Sequence, residues 1–513
     1  MKVNSLSLPL IHQHSVTMPS KYLFFILSIS YLFACKQETT SPLPVAEKWR
    51  PAYHFTPDSM WMNDPNGLVY ADGIYHLFYQ FYPDSNVWGP MHWGHATSKD
   101  LVSWEHQPIA LYPDSLGYIF SGSAVVDTGK TAGFGKNAMV AMFTHHNDKM
   151  EKDGSNVFQY QSLAYSMDGG KTFVKYAGNP VVKNPGIRDF RDPKVSWYAP
   201  GKHWVMVLAA YDRAKFYTSV DLKNWTEGGE FGLPGDDRLW ECPDLVQLKI
   251  EGTEEYKWVL ITSIQKKAPN GGTGTSYFVG DFDGKTFKGD IKNQKWADYG
   301  TDNYAMVTWG NTPGSRTLAL GWMSNWLYAQ NVPTTRWRST MTVPRELALV
   351  KEGNDYSMVS KPAAELKALE KSKIESKDPQ GQGKVVEDAA LSHSKIVASF
   401  TPAQEDVVFS LSNTKGEHLD FGYEAKTHRW FIDRSHAGLS DFYQGFAARH
   451  YGPEMPPSAP QNFEAYIDAT SIELFINGGK VAMTDIFFPT EAYTRLEHKG
   501  GGEMPVEVIG LGR

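Results

Sequence analysis

The sequence predicts an all-β protein, a β-propeller followed by a β-sandwich, on three observations. From Tyr53 to about Leu349 the chain is a succession of short apolar runs, among them Gly73 to Tyr79, Ala138 to Thr144, His203 to Ala209 and Lys257 to Ser263. Gly, Pro, Asn and Asp separate these runs, and no long amphipathic helix interrupts them. Within this stretch one turn plan recurs four times: a polar residue, an Asp able to cap a turn, and an aromatic four or five positions on. The copies centre on Asp100, Asp168, Asp221 and Asp283, with Trp104, Phe173, Trp225 and Phe287 as the aromatics, at intervals of 68, 53 and 62 residues. Each copy reads as a hairpin planting a ring between sheets, and hairpins at such intervals are blade-like. A β-sandwich whose turns merely look alike is the rival at this point. After Lys384, strands return at Val407 to Leu411, Arg429 to Asp433 and Ile472 to Ile476. Asn477-Gly478-Gly479 then turns the chain into Val481 to Phe488.

Taken in order, residues 1–45 form an address. Lys21 supplies a basic start after Met18, Tyr22 to Phe33 is an apolar run of signal-peptide length, and Leu32-Phe33-Ala34-Cys35 closes it. That closure resembles a bacterial lipobox, which implies cleavage before Cys35, lipidation of its thiol and an exported protein held at the periplasmic face or cell surface. An ordinary signal peptide with an incidental cysteine is the alternative. Met1 to Thr17 reads as an upstream extension and Lys36 to Pro44 as a tether. Residues 46–350 are then the propeller. Residues 351–384, charged and with helical spacing from Pro362 to Glu370, read as a connector, and 385–513 as the sandwich.

Composition narrows the partners. A net charge of −7 with no basic run argues against nucleic acid. Two cysteines cannot make a disulfide framework, so the core must come from packing. The 13% aromatic content is high, and such rings both fill β-cores and stack on sugar faces.

Three acids stand in unusual settings. Trp61 to Gly67 presents Asn63 and Asp64 on a tight Asp-Pro-Asn-Gly backbone behind two large apolar side chains. Alone it would mark only a hairpin corner; in this company it presents one rigid acid in an aromatic-walled pocket. Arg188 to Pro193 sets Asp192 beside Arg191, which in isolation reads as a surface ion pair. Leu239 to Asp244 sets Glu241 between Trp240 and Cys242, surroundings expected to desolvate it and raise its pKa, unless its head simply reaches water. Glycoside cleavage needs one ionised carboxylate and one carboxylic acid that can give up its proton. Asp64 suits the first role and Glu241 the second, and an acid held by Arg191 could fix sugar hydroxyls.

In this order, Trp61 to Gly67, Phe120-Ser121-Gly122-Ser123, Arg191-Asp192-Pro193, Glu241-Cys242-Pro243 and the run from Trp337 to Leu347 resemble the motifs of glycoside hydrolase family 32, the invertases, inulinases and levanases. The match runs from about Tyr53 to the C-terminus. The resemblance implies a five-bladed propeller joined to a sandwich, and retaining hydrolysis of β-fructofuranosides without cofactor or metal. It implies that Asp64 is the nucleophile, Glu241 the general acid/base and Asp192 the transition-state stabiliser. Asn63, Gln80, Trp88, Phe120, Ser121, Arg191, Tyr304 and Trp326 would line a fructose pocket. Tyr304 follows Asn303 where the family usually has an aromatic, and Trp326 competes with nearby Trp322. The expected substrate is a fructan such as levan or inulin, or sucrose, with membrane contact only through Cys35. A fructosyltransferase sharing the covalent intermediate and a non-catalytic glycan-binding propeller are the rivals.

Overall fold

A computed structural model describes residues 47–233, 235–374, 385–455, 460–502 and 504–513. Cys35, the apolar segment before it, the tether and residues 375–384 of the expected connector lie outside the described residues. Residues 48–513 form one compact unit.

Among the described residues, the strands from Met60 to Pro362 fall into five antiparallel sheets in sequence order. Their first strands are Met60–Ala71, Tyr118–Asp127, Phe190–Tyr198, Trp240–Lys249 and Tyr304–Thr308. Each first strand lies beside the next, and the fifth lies beside Met60–Ala71 again, which makes a closed ring. The ring is latched by Trp337–Arg338 pairing in parallel with Met60 and Trp61, and by Gly310 bridging Val69.

Burial explains the strand compositions. Ala138–His146 is buried at every position and His203–Ala210 at all but its first, because sheets cover both faces. They therefore read as continuous apolar runs. The outer strand Thr226–Gly232 is mostly open and correspondingly polar. Neighbouring sheets interleave large side chains: Phe78, Trp93 and Phe143 between the first two, Phe190 and Met206 with Met142 between the next, and Met62 and Leu77 with Trp322 where the ring closes. Each such side chain contributes roughly 1.5–3 kcal/mol by leaving water.

The recurring turn is the outer hairpin, between third and fourth strands, of each of the first four sheets. Asp100 Oδ1 accepts the Val102 and Ser103 N–H groups at 2.9 and 2.7 Å, and Asp221 Oδ1 accepts those of Lys223 and Asn224 at 3.0 and 2.8 Å. Asp168 and Asp283 do the same at their own turns. The fifth sheet lacks the turn because a two-residue corner joins Glu352 to Asp355.

The expected connector differs from the structure at both ends. Asp355–Pro362 is the outer strand of the fifth sheet, paired with Arg345–Glu352, and Glu370–Lys373 is an edge strand of the sandwich. Charged side chains facing solvent hid the short buried run Met358-Val359-Ser360. The helical spacing corresponds to a 3-10 turn, Ala364–Leu369, that buries Leu366 and Leu369.

Two six-stranded sheets make the sandwich around Phe409, Phe421, Trp430, Phe463 and Leu474. Its Asn477-Gly478-Gly479 turn has left-handed φ at all three residues, and Gly479 lies so close to Ser360 that a Cβ would meet its carbonyl oxygen at 2.3 Å. A buried polar seam joins sandwich to propeller. Arg345 Nη1 bonds Asp298 at 2.8 Å, and its Nη2 bonds Glu473. His54 reaches Asp468 at 2.8 Å and Glu473 at 2.9 Å, and Arg434 reaches Asp302 at 2.8 Å.

Candidate active site

The five first strands converge at one end of the ring, and each breaks its pairing register there. The irregularities fall at Asn63–Asp64, at Phe120–Ser121, at Asp192–Pro193, at Cys242–Pro243 and at Ala305–Met306. A bulge re-aims side chains that regular alternation would send into a sheet face. Here it turns them toward the axis. Asp192, Cys242 and Ala305 have φ of 64, 45 and 54°, a conformation costing on the order of 1–3 kcal/mol that persists only when its surroundings fix it. They are fixed: Thr144 Oγ1 accepts the Asp192 N–H at 3.0 Å, Asp192 Oδ2 accepts the Cys242 N–H at 2.9 Å, and Ser263 Oγ accepts the Ala305 N–H at 2.9 Å.

The three acids occupy one cavity of about 280 Å³ in different hydrogen-bond settings. Asp64 accepts from Ser121 Oγ at 2.6 Å and from Asn63 Nδ2 at 3.1 Å, and Asn63 is itself held by Trp61 Nε1 at 2.8 Å. Burial raises the Asp64 carboxyl above its ordinary value, and the nearby Glu241 charge adds to this. Burial likewise pushes Asp192 up to about 7, against the pull of Arg191. Glu241 Oε1 accepts from Arg191 Nη2 at 2.9 Å and Nε at 3.3 Å, and Oε2 accepts from the Tyr304 hydroxyl at 2.5 Å. Between Asp64 and Asp192 stands the Cys242 thiol, 3.3 and 3.7 Å from their Oδ2 atoms. Burial raises its pKa well above the usual thiol value, so it stays protonated and can donate.

Two local expectations change. Trp240 does not wall Glu241: strand alternation sends it to the other face, where it stacks on Phe278 at 5.6 Å. Arg191 serves Glu241 and Asp189, the latter at 2.6 Å, while its Nε stays 4.0 Å from Asp192. Successive side chains on a strand diverge, so the Arg191 guanidinium makes its short contacts with Glu241 and Asp189 and leaves Asp192 as a looser ion pair.

Asn63, Gln80, Trp88, Phe120, Ser121, Arg191 and Trp326 line the same cavity. Trp88, 37% exposed, stands edge-on to Phe120 at 6.0 Å. Trp326 stacks on Trp61 at 5.9 Å, whereas Trp322 is fully buried beneath it and belongs to the core. Tyr304 is buried and reaches the site through its hydroxyl alone. Residues not anticipated are His146, Glu151, Gln159, Asp189 and Gln265. His146 stacks on Phe120 at 4.2 Å, and Gln159 Oε1 accepts the Phe190 N–H at 2.9 Å, steadying the Arg191 strand. A His ending a wholly buried strand was the one available signal; Gln159 offered none.

Comparison with known proteins agrees over the whole described body. The model "Glycosyl hydrolases family 32 N-terminal domain" matches residues 54–362, and "Glycosyl hydrolases family 32 C terminal" matches 362–508. The chain is 45% identical to a levanase of Bacillus subtilis over 475 residues, 88% of this chain and 68% of that protein. It is 36% identical to an extracellular exo-inulinase of Aspergillus niger, covering 90% and 94% of the two. The crystal structure of an exo-inulinase from Aspergillus awamori superposes with a TM-score of 0.84 at 33% identity, covering 91% of this chain and 99% of that one. Sheets, cavity and sequence thus lead to one assignment, and the chain belongs to family 32 of the glycosyl hydrolases.

Proposed function

We propose that this protein is a retaining β-fructosidase that hydrolyses fructans such as levan or inulin, or sucrose, releasing fructose, with the five sheets as five blades. The observation that carries this reading is the pairing of two differently held carboxylates in one cavity that opens to solvent past Trp88. Asp64 is fixed by a hydroxyl and an amide, and Glu241 by a guanidinium and a phenol. Asp64 attacks the anomeric carbon while Glu241 gives its proton to the departing glycosidic oxygen. Glu241 then takes a proton from the water that hydrolyses the fructosyl ester. Asp192, titrating near neutrality, binds sugar hydroxyls as positive charge develops on the ring.

Export and anchoring through Cys35 are part of the same reading, supported by the apolar run Tyr22 to Phe33 and by relatives named as extracellular. The test is product chromatography after incubation with levan, inulin and sucrose, with Asp64→Asn as control. Free fructose absent from the control supports the reading. No product from any of the three, with fructan binding intact, overturns it.

A further inference from the structure

Beside the cavity of the acids lies a second, open groove of about 530 Å³, whose lining includes Arg188, Tyr211, Asp212, Arg213 and Glu230. Its position is set by two backbone bonds: the Tyr211 N–H donates to Asp189 O at 2.8 Å, and the Trp240 N–H donates to Tyr211 O at 2.8 Å. Tyr211 is thereby pinned between the strand that carries Arg191 and the strand that carries Glu241. Asp189, next to Arg188, lines the first cavity, so the two depressions are neighbours.

Tyr211 itself is out of place by local rules. It occupies a hairpin corner at φ 62°, where glycine or asparagine is ordinarily found, and the residue is 43% exposed. A bulky residue kept in a left-handed corner, with its apolar face in water and beside an active cavity, calls for a ligand. The rest of the wall indicates which kind. Arg213 pairs with Asp212 at 2.7 Å and with Glu230 at 2.8 Å, Lys215, which also lines the groove, pairs with Glu227 at 2.7 Å, and Arg188 pairs with Glu151 at 3.0 Å. The charges cancel locally but leave a dense set of donors and acceptors, which suits an uncharged polyhydroxylated ligand better than an anion.

We propose that Tyr211 is the platform of a subsite that takes a sugar unit of the leaving chain, beyond the bond being cleaved, so that long β-fructofuranoside chains are preferred over a disaccharide. This rests on the hydrolase reading above. The ring face stacks on the sugar, and Arg188 and Arg213 donate to its hydroxyls.

Steady-state kinetics on sucrose and on inulin and levan test it in the full chain, comparing wild type, Tyr211→Gly and Tyr211→Phe. Glycine removes the ring at a φ it adopts freely, and phenylalanine keeps the stacking face. The expected result is that Tyr211→Gly lowers kcat/KM on a polymer about tenfold more than on sucrose, mainly through KM, while Tyr211→Phe keeps the wild-type ratio. An unchanged polymer-to-sucrose ratio in Tyr211→Gly, or an equal loss in Tyr211→Phe, overturns the subsite while leaving the hydrolase reading intact. A wild type inert toward all three substrates overturns both.

Discussion

Arg191 is bonded to Glu241, fifty residues away, and not to Asp192, its neighbour in the chain: Nη2 and Nε lie 2.9 and 3.3 Å from one Glu241 oxygen, against 4.0 Å to Asp192. A fork of two N–H groups fixes where the Glu241 carboxyl points, and a lysine cannot reproduce it. Arg191→Lys should therefore lower kcat on sucrose by roughly 10²-fold through misplacement, with a smaller change in KM. A loss confined to KM would show that Arg191 acts on substrate binding alone.

The other Glu241 oxygen depends on the Tyr304 hydroxyl at 2.5 Å. Burial raises the Tyr304 phenol well above its ordinary pKa, and the Glu241 charge adds to this, so it remains a donor throughout the working pH range. Tyr304→Phe deletes the donor and keeps the packing. We expect kcat to fall about ten- to a hundredfold, with stability changed by no more than about 1 kcal/mol. Unchanged kcat across the pH profile would remove Tyr304 from the machinery.

Asp192 carries a stability cost when ionised, because its carboxyl is buried. Its carboxyl, raised by burial to about 7, binds its proton more tightly folded than unfolded. The native state thus gains nothing from its ionisation: the benefit of the neutral form is complete below pH 4 and is lost as pH rises through 7. Asp192→Asn should be inactive, yet at pH 8 more stable than wild type, on the order of 2–4 kcal/mol, with the gap shrinking toward zero near pH 4. Urea unfolding at the two pH values measures this. An equal gap at both would mean that Asp192 is ionised at no cost.

What was legible in the sequence follows from how locally each feature is encoded. The capping Asp turns are made by residues within four positions of one another, so four outer hairpins could be read from spacing alone. Asp64, Asp192 and Glu241 stood out because Pro and Gly beside them mark the bulges that re-aim them. The partners of those acids were not legible. Thr144, Gln159 and Ser263 reach the site from second and third strands, across sheet pairings that no local pattern announces. Alternation along one strand does separate Trp240 from Glu241, but it cannot say that Arg191 makes its short contact with Glu241 of another sheet rather than with Asp192. Asp355–Pro362 was hidden for a related reason: an outer strand shows mostly its solvent face.

The seam between propeller and sandwich carries the remaining expectation. Burial alone would lower the His54 pKa, but hydrogen bonds and charge from Asp468 and Glu473 overcome it and raise the ring to about 9. A histidine whose folded pKa lies above its unfolded value near 6.5 contributes stability that is fully present below pH 6.5 and lost as pH rises through 9. His54→Gln, which keeps a donor but never the charge, should cost on the order of 3 kcal/mol at pH 6 and much less at pH 10. Thermal unfolding of both proteins at the two pH values decides the point, because Asp468 and Glu473, whose carboxyls His54 holds down, are coupled to the same proton. If the two melting curves stay equally far apart at pH 6 and pH 10, His54 is neutral in the folded protein and the seam is held by Arg345 and Arg434 without it.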